Sequence, residues 1–173
     1  MDMVYIYELY GLCLMVVTVL LSCDMITRYS LYYNSTLVYT HGEWWRLCTC
    51  FMRGIWGLSM YDMYISYMTL VFLKKLRDLA LGWILLVCAP LILSLGIPSG
   101  YIFYDSSICG CIVYIWCHRH RFDILRLGTV CRVRVRFLLL IMLFVEYTIK
   151  EDVGQMIIGY LIGHLYVWFF KIR

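Results

Sequence analysis

Leu79-Ala80-Leu81-Gly82-Trp83-Ile84-Leu85-Leu86-Val87-Cys88-Ala89-Pro90-Leu91-Ile92-Leu93-Ser94-Leu95-Gly96-Ile97 contains no charged side chain. Its apolar residues are continuous and do not alternate, which suits a helix in hydrocarbon and excludes a lipid-facing barrel strand. In lipid each backbone amide needs a partner within its own segment, and a helix supplies one. Comparable runs recur at 7–23, 58–73, 102–117, 135–149 and 153–170. The sequence therefore predicts an all-α polytopic membrane protein: a single domain over 1–173, six transmembrane helices and no separate soluble part. Several runs are nearer 16 than the roughly 20 residues that a core of about 30 Å requires, so local thinning of the bilayer is expected.

Composition agrees. Of 173 residues 64% are hydrophobic and 15% charged, where a soluble protein of this size carries about a quarter charged. The net charge of +4 belongs to topology and not to nucleic acid, because the basic residues flank the apolar runs. With six spans, eleven of the fifteen Lys and Arg fall on the face that holds both termini and the loops after the second and fourth runs. That bias puts both termini in the cytosol. The amino terminus lacks a basic region before its apolar run, so the first run is expected to stay as a helix. Most of the nine cysteines sit in or beside apolar runs and read as small apolar filler. Cys117-His118-Arg119-His120 is flanked by arginine and has no second ligand pair, so no metal and no cofactor is expected.

The loop at 24–57 then faces the lumen. It holds the sequon Asn34-Ser35-Thr36, which makes Asn34 a candidate glycosylation site. It also holds His41-Gly42-Glu43-Trp44-Trp45-Arg46-Leu47. Trp45 suits the membrane boundary, and Arg46 is placed to tie the loop to the helix ends beneath it. In the last run Gly159 and Gly163 share one helix face and permit close approach of a neighbouring backbone, with His164 beside them. Asp62 and Asp105 stand within or at the ends of the second and fourth runs, and Glu146 in the fifth. Acids at such depth are candidates for a polar path or for proton transfer.

These motifs, in this order, resemble the derlins, the inactive branch of the rhomboid superfamily. The Trp45-Arg46 stretch is similar to the motif that opens the first rhomboid loop. Tyr114-Ile115-Trp116 and the basic stretch after it look like the end of rhomboid helix four. Ile158-Gly159-Tyr160-Leu161-Ile162-Gly163-His164-Leu165-Tyr166 looks like derlin helix six. Aligned on those motifs, the rhomboid nucleophile position falls at Asp105 and the base position at Met156, so both catalytic groups are missing. Asp62 stands where an oxyanion-binding Asn is needed, and its charge opposes that role.

The resemblance implies a six-helix bundle in the endoplasmic reticulum membrane. It implies a role in endoplasmic-reticulum-associated degradation: binding misfolded protein clients and assisting their retrotranslocation to the cytosol through a thinned membrane. The implied partners are a membrane ubiquitin ligase complex and an AAA ATPase. The sequence stops at Arg173 without the cytosolic tail that often recruits the ATPase, so that contact is expected to be indirect, with the basic segment 117–136 as a substitute. Two other readings use the same residues. One is a small transporter or channel built on Asp62, Asp105 and Glu146, and the other an intramembrane serine protease using Ser106 or Ser107 with His164.

Overall fold

Each apolar run contains one long helix. The computed structural model describes residues 5–52, 60–75, 81–127, 131–150 and 153–170. Its helices are α1 (Tyr5–Ser22), α2 (Ser35–His41), α3 (Arg46–Thr49), α4 (Met60–Lys75), α5 (Leu81–Gly96), α6 (Asp105–Arg119), α7 (Leu138–Lys150) and α8 (Gly154–Phe170). Six are long; α2 and α3 are short turns within the loop after α1. Pro90 lies inside α5 without ending it, as membrane helices often allow.

No described helix is long and apolar enough to cross a membrane. At about 1.5 Å per residue, the 18 residues of α1 reach about 27 Å and the 13 of α7 about 20 Å. The expected helix starts also shift. The run at 102–117 becomes helical only at Asp105, because the backbone of Tyr104 is held out of helix geometry at φ −125°. Residues 135–137 form a tight 3-10 turn before α7.

One element departs from an all-helical reading. The basic segment between α6 and α7 contains an antiparallel hairpin of β1 (Ile124–Leu127) and β2 (Cys131–Arg134), with Ile124 opposite Arg134 and Arg126 opposite Arg132. From Arg132 to Arg136 arginine and valine alternate with period 2, which is a strand pattern and not a helical one.

The core gathers around α6. From Asp105 to Cys117 every residue but Tyr114 is buried, the burial of a helix surrounded by other helices. Phe72 of α4 packs on Trp116, with ring centroids 5.0 Å apart. Tyr160 Oη of α8 donates to Leu139 O of α7 at 3.0 Å. Tyr64 Oη of α4 approaches Met142 Sδ of α7 at 2.6 Å. Gly159 lies against Ser107, and Gly163 against Cys111 and Tyr114. Both contact points advance together, so α6 and α8 run parallel. Parallel neighbours joined through α7 are what an up-and-down bundle produces.

Candidate functional site

Among the described residues the seam between α6 and α8 is the most extensive contact between helices, and small residues make its closest approach. A Cβ added at Gly159 would collide with Ser107 O and lie 2.9 Å from Cys111 N. At Gly163 it would lie 3.0 Å from Cys111 O and 3.0 Å from Tyr114 Cβ. On the other side of the seam, a Cβ at Gly110 would lie 2.9 Å from Met156 Sδ. Only glycine lets the two backbones come this close. A side-chain bond adds to the clamp: Ser107 Oγ donates to Gln155 O at 2.9 Å.

That geometry decides the chemistry at the head of the seam. Ser106, Ser107 and Met156 are all fully buried. A serine nucleophile needs a base within about 3 Å. No base is the partner of Ser107: its hydroxyl donates to the backbone carbonyl of Gln155, while Met156, the next residue, lies against Gly110. His164 is elsewhere. Its Nδ1 shares a 2.8 Å hydrogen bond with Tyr114 Oη, and Tyr114 lies about 10 Å along α6 from Ser107, given two helical turns. The Ser–His pairing of the protease reading is therefore not formed. His164 is exposed, edge-on to the Tyr114 ring at 5.8 Å between centroids.

Arg46 organises the loop after α1. It is buried, 6% exposed, although it carries a full charge. Its Nε donates to Glu43 Oε2 at 2.5 Å, and its Nη1 to Tyr29 O at 2.6 Å and Tyr32 O at 3.0 Å. The guanidinium also lies over the Tyr32 ring, 5.2 Å from its centroid. A buried charge with this many partners is satisfied, and removing it would strand them. Just upstream, Gly42 takes φ +70° and closes α2 by donating its N–H to Leu37 O, a left-handed cap that favours glycine. Trp45 starts α3 through its backbone while its ring stays exposed, as does the ring of Trp44 against Tyr39.

The loop is then pinned to the start of α6. Tyr33 N donates to Ile102 O at 2.9 Å, and Tyr104 N to Cys50 O at 3.0 Å. Asn34 caps α2, its Oδ1 accepting from Leu37 N at 3.2 Å, so it has a structural task whether or not a glycan is attached. Burial pushes the Cys50 thiol up to about 12, with the neighbouring Cys48 adding to the shift.

The acids divide. Asp105 is buried in the first turn of α6. Glu146 is buried on α7. Asp62 lies in the first turn of α4, but its side chain is outside the described residues. Among the described residues no three His, Cys, Asp or Glu gather as a metal site.

Several partners carry no signal as single residues. Tyr29 and Tyr32 serve Arg46 through backbone carbonyls, and Gln155 serves Ser107 in the same way. Glu43, by contrast, stands three residues before Arg46, a spacing at which opposite charges meet on a turn. The small residues Ser107 and Cys111, four apart on α6, receive Gly159 and Gly163, and Gly110 between them receives Met156.

No curated protein matches the chain. The model of the Der1-like family matches residues 5–172. A match over nearly the whole length, on a helical bundle whose central seam is closed by glycines, makes the chain a member of the Der1-like family.

Proposed function

We propose that this chain is a derlin-type pseudoprotease of the endoplasmic reticulum membrane, which binds misfolded proteins and assists their passage to the cytosol for degradation. Membership of the Der1-like family supports a derlin-type role in endoplasmic-reticulum-associated degradation, residence in that membrane, association with misfolded clients and the absence of protease activity. The bundle spans the membrane six times with both termini in the cytosol. Its partners are a membrane ubiquitin ligase complex and an AAA ATPase.

The carrying observation is the length of the six long helices over the described residues, 13 to 18 residues each. Their mean reach is about 24 Å, some 6 Å short of a hydrocarbon core of about 30 Å. The bilayer beside the bundle is drawn in to match, at a cost of fractions of a kcal/mol per Å. A polar chain then has less hydrocarbon to cross. The loop held by Arg46 gives the lumenal face a fixed surface, and the α6–α8 seam keeps the bundle rigid while it cuts nothing.

Pulse-chase turnover of a misfolded membrane client in cells lacking the chain tests this reading. A prolonged client half-life, restored by the wild-type chain and equally by Ser106→Ala/Ser107→Ala, is expected. Unchanged turnover in the deleted cells would overturn it.

A further inference from the structure

Where the chain leaves α6, Arg121, Arg134 and Arg136 line an open cavity of about 710 Å³ together with Phe122 and Ile124. Ile124 and Arg134, opposite each other in the hairpin, both line it, and Val135 N donates to Asp123 O at 3.1 Å beside them. Among the described residues no Asp or Glu lines the space. Asp123, the nearest acid in sequence, is held by His120 Nδ1 at 2.8 Å. Among the described residues no carboxylate pairs with any of the three arginines. A smaller adjoining cavity of about 150 Å³ shares Arg121 and Arg136 and adds His118.

Two of the guanidinium groups rest on aromatic rings. Arg121 lies 4.7 Å from the Phe122 centroid and Arg136 lies 4.9 Å from that of Phe137. Both rings, and Ile124, are exposed. Guanidinium forks face an anion best when their planes are held, and stacking holds them. Like charges converging on one space leave it strongly favourable for a multiply charged phosphate, which accepts several N–H donors at once. Exposed Phe and Ile at the end of an apolar bundle, beside arginine, form the composition of a membrane boundary.

We propose that this cavity binds the phosphate-bearing headgroup of an anionic phospholipid, with Phe122, Ile124 and Phe137 reaching the acyl region beside it. The inference rests on the bundle lying in a bilayer, and it is independent of what the bundle does with its clients. A merely cytosol-facing cluster of positive charge would attract anionic lipid diffusely and would not distinguish these arginines from others on the same face.

The test uses the full chain in neutral detergent micelles, titrated with short-chain phosphatidylinositol 4-phosphate and read by tryptophan fluorescence. Short-chain phosphatidylcholine and free inositol 1,4-bisphosphate are the comparison probes. Saturable binding of the anionic lipid is expected, weakened at least about tenfold by Arg121→Gln/Arg136→Gln and left nearly unchanged by Arg119→Gln. Arg121→Lys/Arg136→Lys keeps the charge and removes the forks, and it should weaken binding by about threefold or more. This second pair also serves if the Gln variant fails to fold. Equal binding by the Lys pair, equal loss in Arg119→Gln, or equal binding of phosphatidylcholine would overturn the site. Free inositol bisphosphate binding as tightly as the lipid would overturn the lipid source. Client turnover in cells reports on the proposed function and not on this site, so the two fail separately.

Discussion

Gly159→Ala is the sharpest probe of the α6–α8 seam. Its new Cβ would sit 2.9 Å from Cys111 N and closer still to Ser107 O. An ordinary contact begins at 3.4 Å, so Cys111 alone demands a retreat of about 0.5 Å, and Ser107 demands more. Both obstacles are backbone, which cannot swing aside as a side chain would. Overpacking of this kind costs about 1–3 kcal/mol, and the upper end applies. Alanine recovers up to about 1 kcal/mol through its better helix propensity, leaving a net loss of about 2 kcal/mol. Gly163→Ala meets Cys111 O and Tyr114 Cβ at 3.0 Å, a contact that a few tenths of an ångström relieve. There strain and propensity nearly cancel, and a change within about 1 kcal/mol is expected. Reversible unfolding of both variants in mixed micelles, followed by tryptophan fluorescence, measures the difference. Gly159→Ala as stable as the wild type, or less damaging than Gly163→Ala, would refute the close parallel approach of α6 and α8.

Further outcomes follow from the same geometry. Arg46→Ala strands the Glu43 carboxylate and the carbonyls of Tyr29 and Tyr32, so a loss of roughly 3 kcal/mol is expected; limited proteolysis should find the loop opened, and Arg46→Lys should recover only part. Ser107→Ala removes one neutral hydrogen bond to Gln155 O, worth about 1 kcal/mol, and neither it nor the wild type should be labelled by a fluorophosphonate probe. With its thiol pushed up to about 12 by burial, Cys50 favours the protonated form in the folded chain. Its stabilising contribution is present below the ordinary thiol range and is lost as pH rises toward 12. Alkylation of Cys50 should accordingly stay slow at neutral pH and accelerate only when the chain unfolds, as mass spectrometry of alkylated peptides would show.

The helices were legible wherever hydrocarbon was the solvent, because a continuous apolar run leaves the backbone no other choice. Leu79 to Ile97 needed nothing further, and Gly159 with Gly163 announced that α8 meets a neighbour closely. Which neighbour was not legible. The small residues of α6, from Ser106 to Cys111, are half of that answer, but small residues read as weak signals until two such faces are juxtaposed. His164 adjoined the glycines in sequence, whereas its partner Tyr114 lies on another helix 50 residues away. Asn34, legible as a candidate acceptor of sugar, also caps α2, a local role that the sequon does not announce. The hairpin was missed although arginine and valine alternate from Arg132 to Arg136, because positive charge beside apolar runs first suggests topology. Its register and the cavity beneath it depend on the chain's return to α7, which no residue of the strands encodes alone.

On the proposed function, short helices thin the bilayer around a bundle that cuts nothing. Cryo-electron microscopy of the full chain in a lipid nanodisc, with a hydrocarbon core of about 30 Å far from the protein, measures it directly. A core narrowed to about 24 Å beside the helices is the predicted result. A core that keeps its full thickness up to the protein surface would contradict it.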